Sequence, residues 1–231
     1  MTRHLLTLLD LEREELLALL ARGDELARLR GRPEHPRPLA GKSVVVLLEK
    51  ASTRTRLSFE VGIAELGGHP LTLISRDTQL GRGSPSPTPR ACSRATPTRS
   101  CIAPSSTRAW SSSPRTPASP VINGLSDDYH PCQLLADLMT VRAEKGRLEG
   151  VRVAWIGDGN NMAHSWILAA ARTGLSLVLA CPEGYEPKAE IVERARALGG
   201  DVTVLRDPME AAEGADVVTT DVWASMGQEA E

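Results

Sequence analysis

The chain has 231 residues, 41% of them hydrophobic and 24% charged, with a formal net charge of −2. That balance excludes collagen, a long coiled coil and a wholly disordered protein, and it offers no basic surface for nucleic acid. No apolar run approaches the ~20 residues of a membrane-spanning helix. The N-terminus passes straight into an Arg/Glu-rich amphipathic stretch instead of a signal-peptide core, which points to the cytoplasm. Four cysteines (Cys92, Cys101, Cys132, Cys181) form no C-x-x-C pair and predict neither a disulfide framework nor a zinc site.

Taken in chain order, apolar residues at helical spacing predict a helix over 11–29, ended by Gly31 and Pro33. The β-branched run Ser43–Leu48 reads as a buried strand, followed by a polar loop over 49–55, a helix over 56–66 and a second strand over 70–74. Residues 84–120 break the pattern, with 10 Ser, 8 of the chain's 16 Pro, five Arg and no acidic residue. The rest of the chain carries −7, so this window alone brings the total near neutrality. Its few apolar residues and its proline spacing predict disorder. Beyond it, helices are expected over 131–142, 162–172, 187–198 and 209–212, and strands over 151–156, 175–180, 202–205 and 217–222. Strands alternating with helices predict an α/β fold of two domains, each a parallel sheet flanked by helices, split near residue 140. In such sheets ligands bind beyond the carboxyl ends of the strands, where Ser52, Asp158 and Asp221 fall.

Four clusters carry candidate chemistry. Ser52-Thr53-Arg54-Thr55-Arg56 offers helix-start N–H groups, hydroxyls and a guanidinium fork to an oxyanion, although an N-cap serine beside solvated arginines explains Ser-Thr-Arg equally well. His130-Pro131-Cys132-Gln133 opens a helix with His130 and Gln133 three residues apart, on one side of the first turn; Cys132 is read as a small buried residue. Gly157-Asp158-Gly159-Asn160-Asn161 follows a strand, but Met162 stands where a dinucleotide fingerprint needs its third glycine, which argues against a nucleotide site. His164 and Ser165 are given no catalytic part. Asp221 ends a strand, ahead of Trp223, Ser225 and Met226.

The string from Ser52 to Glu60, with H-P-C-Q, G-D-x-x-N-N and D-x-W-x-S-M-G in that order, closely resembles the aspartate/ornithine carbamoyltransferase family, on its ornithine branch. The resemblance implies transfer of the carbamoyl group from carbamoyl phosphate to L-ornithine, giving L-citrulline and phosphate, in arginine biosynthesis or catabolism. It implies no metal or cofactor, and a homotrimer with shared active sites. By the same resemblance Ser52, Thr53, Arg54, Thr55, Gln79, His130, Pro131, Cys132 and Gln133 bind carbamoyl phosphate. Arg54, Thr55 and His130 then act on the oxyanion. Asn161, Asp221, Ser225 and Met226 hold the amino acid.

Residues 84–120 depart from the family, which has a strand, a helix and a further arginine there. Back-translated with GC-rich codons and read one frame over, Thr98–Pro104 becomes Ala-Leu-Val-His-Arg-Thr, so the window is read as frameshifted. The chain also ends soon after S-M-G, and the second domain is read as incomplete. Three alternatives stay open: an inactive relative with at most anion binding, a sister enzyme acting on putrescine or N-acetylornithine, and a Rossmann-type nucleotide protein.

Overall fold

The structure is a computed structural model that describes residues 3–48, 52–74, 98–103 and 119–221, with 98–103 as backbone. It divides into two compact units. The first comprises residues 1–6 and 21–132, the second residues 7–20 and 133–231.

In the first unit the strands are β1 (Ser43–Leu48), β2 (His69–Ile74), β3 (Thr98–Ala103) and β4 (Val121–Asn123). They form an all-parallel sheet in the order β2-β1-β3-β4. β1 is buried almost throughout, as a central parallel strand covered on both faces should be. Val44, Val46 and Leu48 pack against Ile63 of helix α2 (Thr53–Glu65), with Leu39, Phe59 and Ile122 around them. Gly68 lets the chain turn tightly into β2: a Cβ there would meet Ile63 and Leu39 side-chain atoms at 3.0 Å. β2 is an edge strand with alternating exposure.

β3 corrects the expectation that the whole 84–120 window is disordered. Thr98–Ala103 is the proline-free interval between Pro97 and Pro104, so every residue in it can donate to a ladder. It pairs in parallel with both β1 and β4 and thereby joins them into one sheet.

In the second unit the strands are β5 (Arg152–Ile156), β6 (Ser176–Ala180), β7 (Asp201–Leu205) and β8 (Val217–Thr219). They are again all parallel, in the order β7-β6-β5-β8. The helices between them are α4 (Asn161–Thr173), α5 (Ala189–Ala197) and α6 (Pro208–Ala212), preceded by α3 (Pro131–Lys145). Ala154, Val178, Ala180 and Ala211 form one core cluster, where small side chains let α6 lie close to the sheet.

Helix α4 is buried from Ala163 to Ala170, which an amphipathic surface helix would not be. The N-terminal segment accounts for its covered outer side. A 3₁₀ turn at Leu8–Asp10, closed by a Thr7/Asp10 capping box, packs on α4. Arg172 donates to the Leu9 carbonyl at 3.0 Å and pairs with Glu12 at 3.0 Å. Helix α1 (Arg13–Leu29) follows, with Leu16 and Leu20 fully buried and Arg13 paired with Glu149. None of the described helices is long and apolar enough to cross a membrane.

Element types agree with the sequence reading almost everywhere, and the differences are local. Helix α2 begins at Thr53, three residues before the expected start, because Ser52 takes the extended backbone of an N-cap. β8 ends at Thr219, so Asp221 stands two residues past the strand; Val222 lies outside the described residues.

Candidate functional site

In each sheet the strand order reverses direction once, beside β1 in the first and beside β5 in the second. Loops leaving the carboxyl ends of strands on either side of such a reversal diverge and open a crevice. The predicted clusters fall at these ends.

In the first unit, the loop after β1 leads into α2. The Ser52 side chain does not cap the helix; its hydroxyl donates instead to Thr55 Oγ1 at 2.9 Å. The helix start therefore keeps backbone N–H groups that no side-chain cap consumes, at the positive end of the helix dipole. Arg54 is exposed on the first turn and forms no ion pair among the described residues. Its neighbour Arg56 differs: Nε donates to Glu60 Oε1 at 2.9 Å, and the Thr72 hydroxyl donates to the same oxygen at 2.6 Å. The Thr72 bond first, and Arg56 next, hold the Glu60 carboxyl below its ordinary range. Of two arginines two positions apart, Arg56 is committed to a structural contact, whereas Arg54 has no ion pair among the described residues.

The loop after β4 is built on two buried polar residues that the sequence reading passed over. Asn123 Nδ2 donates to the Leu6 carbonyl and to Ser126 Oγ, each at 3.0 Å. Ser126 Oγ donates to the Tyr129 carbonyl at 3.1 Å and accepts the Tyr129 N–H at 3.2 Å. These bonds close the turn that leads to half-buried His130 at the start of α3. Pro131 occupies the first helical position, where its missing N–H costs nothing.

The Cys132 thiol donates to the Asn123 carbonyl at 3.3 Å, and burial pushes it up to about 11. Residue 132 itself is half-buried rather than buried. Cys181, fully buried after β6, is pushed to about 11 by burial, with Asp158 and Glu186 adding to the effect. At pH 8 such thiols are only about 0.1% thiolate, and the thiolate is the nucleophile. Iodoacetamide at pH 8 is therefore expected to leave both unmodified in the folded chain, as peptide mass spectrometry would read; alkylation of either at the rate of a free cysteine contradicts the arrangement.

In the second unit, Gln133 donates through Nε2 to Asp137 Oδ1 at 2.9 Å, one turn along α3. After β5, the loop Gly157–Asn160 is held from several sides. The buried Trp155 indole donates to the Asp158 carbonyl at 3.0 Å, Gly157 N–H to the Ala180 carbonyl at 3.0 Å, and Gly159 N–H to the Tyr185 carbonyl at 2.7 Å. Asn160 caps α4, its Oδ1 accepting from the N–H groups of Met162 (2.9 Å) and Ala163 (3.3 Å). Asn161 is the first residue of the helix. Across the strand-order reversal, Asn160 Nδ2 donates to Asp221 Oδ2 at 3.1 Å. Burial raises the Asp158 and Asp137 carboxyls above the ordinary range, and the Asp221 charge raises both further. Asp137, Asp158 and Asp221 thus make an acidic environment suited to a cationic ligand. Buried His164 accepts the Lys188 N–H through Nε2 at 3.1 Å, a contact that ties the 181–188 loop to α4.

The structure brings together Ser52 with Thr55, and Asp221 with the Asn160–Asn161 helix start. Gln79, Ser225 and Met226 lie outside the described residues. Asn160 was missed although its signal was present, an Asn directly before an apolar helical run. Asp137 was equally legible as a residue four after Gln133.

The family model described as aspartate/ornithine carbamoyltransferase, carbamoyl-P binding domain, matches residues 3–143. Its partner, the Asp/Orn binding domain, matches residues 149–231. The chain is 51% identical to the anabolic ornithine carbamoyltransferase of Pseudomonas aeruginosa, over 99% of this chain and 74% of that one. It is 53% identical to the ornithine carbamoyltransferase of Halorhodospira halophila, over 99% of this chain and 75% of that one. Among solved structures, the ornithine carbamoyltransferase of Pyrococcus furiosus superposes with a TM-score of 0.87 at 43% identity, covering 99% of this chain and 74% of that chain. The anabolic enzyme of Campylobacter jejuni superposes with a TM-score of 0.88 at 37% identity, covering 100% and 77%. Family-model matches running through both halves and relatives about half identical over nearly the whole chain lead to one assignment: the chain belongs to the aspartate/ornithine carbamoyltransferase family.

Proposed function

We propose that this chain transfers the carbamoyl group of carbamoyl phosphate to the δ-amine of L-ornithine, yielding L-citrulline and phosphate. The observation that carries the reading is the start of α2, where Ser52 and Thr55 pair through their hydroxyls and leave the helix N–H groups and Arg54 to an oxyanion. Ser52, Thr53 and Arg54 hold the phosphate. Thr55 and His130 join Arg54 in polarising the carbamoyl carbonyl, with Pro131, Cys132, Gln133 and Gln79 completing the carbamoyl phosphate half.

The neutral δ-amine attacks the carbonyl carbon, the C–O bond to phosphate breaks, and the excess amine proton is taken up by the departing phosphate. Catalysis then consists of orientation and of stabilising charge on the carbonyl and leaving oxygens. Asp221 pairs with the α-ammonium of ornithine, Asn161, Ser225 and Met226 hold the rest of the amino acid, and the acidic surroundings of Asp221 favour that cation. Residues 1–140 are read as the carbamoyl phosphate domain and 141–231 as the ornithine domain, in arginine metabolism in the cytoplasm.

The assembly is read as a homotrimer. The first unit exposes Leu57 and Val61, one turn apart on α2, and Leu71 and Leu73, alternate residues on edge strand β2. The two pairs lie on different sides of the sheet, since Thr72 turns to Glu60 of α2 while Leu71 and Leu73 alternate away from it, and each offers a small apolar contact to another copy of the chain. The window 84–120 is read as encoded in a shifted frame, which sequencing of codons 83–121 checks.

Citrulline formation by the whole chain, with carbamoyl phosphate and either ornithine, N-acetylornithine or putrescine at about ten times a typical ~1 mM KM, tests the reading. Turnover with ornithine alone is the expected result. Preference for another amine reassigns the acceptor, and no turnover with any of them overturns the proposal in favour of an inactive relative.

A further inference from the structure

We propose that Asn160 is a positioning residue for the amino-acid substrate, fixing the carboxylate of Asp221 in place while it caps helix α4. This rests on the reading of Asp221 as the ammonium-binding group.

The orientation of the Asn160 amide is set by chemistry. Its Oδ1 accepts two backbone N–H groups, from Met162 and Ala163, so Nδ2 is the end that faces Asp221 and donates to Oδ2 at 3.1 Å. The loop carrying Asn160 has little freedom, because Trp155 holds the Asp158 carbonyl while Gly157 and Gly159 are bonded to the Ala180 and Tyr185 carbonyls. Asn160 is therefore a donor fixed before substrate arrives.

Asp221 receives that donor. It lies past the end of β8, is exposed, and shares its surroundings with the carboxyls of Asp158 and Asp137. The charge-assisted bond from a rigid amide opposes the repulsion from those neighbours. One asparagine thus bonds both the start of α4, which carries Asn161, and the acid opposite it, so two of the four groups assigned to the amino acid are tied to a single side chain.

Asn160→Asp separates this role from capping. Aspartate caps a helix as well as asparagine does, yet it replaces the donor with a carboxylate facing Asp221. Asn160→Ser keeps a cap and removes the amide. Both variants of the whole chain are expected to keep the wild-type unfolding temperature and the KM for carbamoyl phosphate, while the KM for L-ornithine rises about tenfold or more, the worth of a hydrogen bond to a charged group. Calorimetric titration of L-ornithine in the presence of inorganic phosphate should show the same loss of affinity.

An ornithine KM within twofold of wild type in Asn160→Asp overturns the inference, leaving Asn160 as a cap alone. Asp221→Asn, measured in parallel, distinguishes the two failures. If it too leaves ornithine binding unchanged, or if the wild-type chain neither binds ornithine nor makes citrulline, the ornithine reading falls and the inference with it. If Asp221→Asn weakens ornithine and the Asn160 variants do not, only the role of Asn160 is lost.

Discussion

Replacing Arg54 with alanine is expected to lower carbamoyl transfer about 1,000-fold, the upper range for removing one preorganised donor to a developing oxyanion. The unfolding temperature should stay where it is, because Arg54 is exposed and forms no ion pair among the described residues. Lysine at the same position keeps the charge but not the fork, so it should restore only a small part of the rate. Arg56→Ala supplies the contrast. It removes a partly exposed pair with Glu60, which retains the Thr72 hydroxyl, so a stability loss of about 0.5 kcal/mol or less is expected. Steady-state rates on the four proteins, with thermal unfolding of each, decide the matter. An Arg54→Ala enzyme with an unchanged rate removes the helix start after β1 as the phosphate site.

The largest expected effect on stability falls at Gly159. A Cβ built there would lie 2.2 Å from the Pro187 nitrogen, 2.5 Å from the Glu186 carbonyl carbon and 2.6 Å from Pro187 Cα. These are backbone atoms, and their loop is held by the bonds Gly159 N–H to Tyr185 O and Lys188 N–H to His164 Nε2, so retreat breaks contacts on both sides. Gly159→Ala is expected to cost about 3 kcal/mol, at the severe end of overpacking. For a chain of this size that lowers the unfolding midpoint by roughly 6–12 °C.

Gly62, inside helix α2 with open space where a Cβ would go, is the matched control. Alanine there should stabilise by about 0.5–1 kcal/mol through helix propensity alone. Equal midpoints for the two alanine variants would show that the 181–188 loop yields freely and that the Gly157–Asn160 loop is not held as described.

Much of the fold was legible because its strands are buried parallel strands, whose uninterrupted apolar runs stand out. Ser43–Leu48 was readable to the residue, and β6 to within one residue. What escaped shares a physical character. β3 draws its order from two neighbouring strands, and nothing in Thr-Arg-Ser-Cys-Ile-Ala announces a central position. β4 is three residues long and is fixed by β3, by the bridge from Leu5 and by the side chain of Asn123, none of which a local pattern reports.

At the site, the residues flagged from sequence are those to which the proposed reaction gives ligand contacts. Those that hold them were less visible. Asn123 and Ser126 look like ordinary turn residues, and the carboxyls of Asp137 and Asp158 show their bearing on Asp221 only once the chain has folded. His164, given no catalytic part, is buried and accepts a backbone N–H.

The attachment of residues 7–20 to the second unit sets a timetable for synthesis. Leu9 and Arg172, which the finished protein joins by a hydrogen bond, are 163 positions apart. At about 5–20 residues per second, the N-terminal segment waits roughly 8–30 s on the ribosome before α4 is made. During that interval Leu8, Leu16 and Leu20, all fully buried at the end, have no partner from α4 or the second sheet. Residues 7–20 are thus secured only once α4 has been made, and a chaperone that shields short leucine-rich segments would have a long opportunity there.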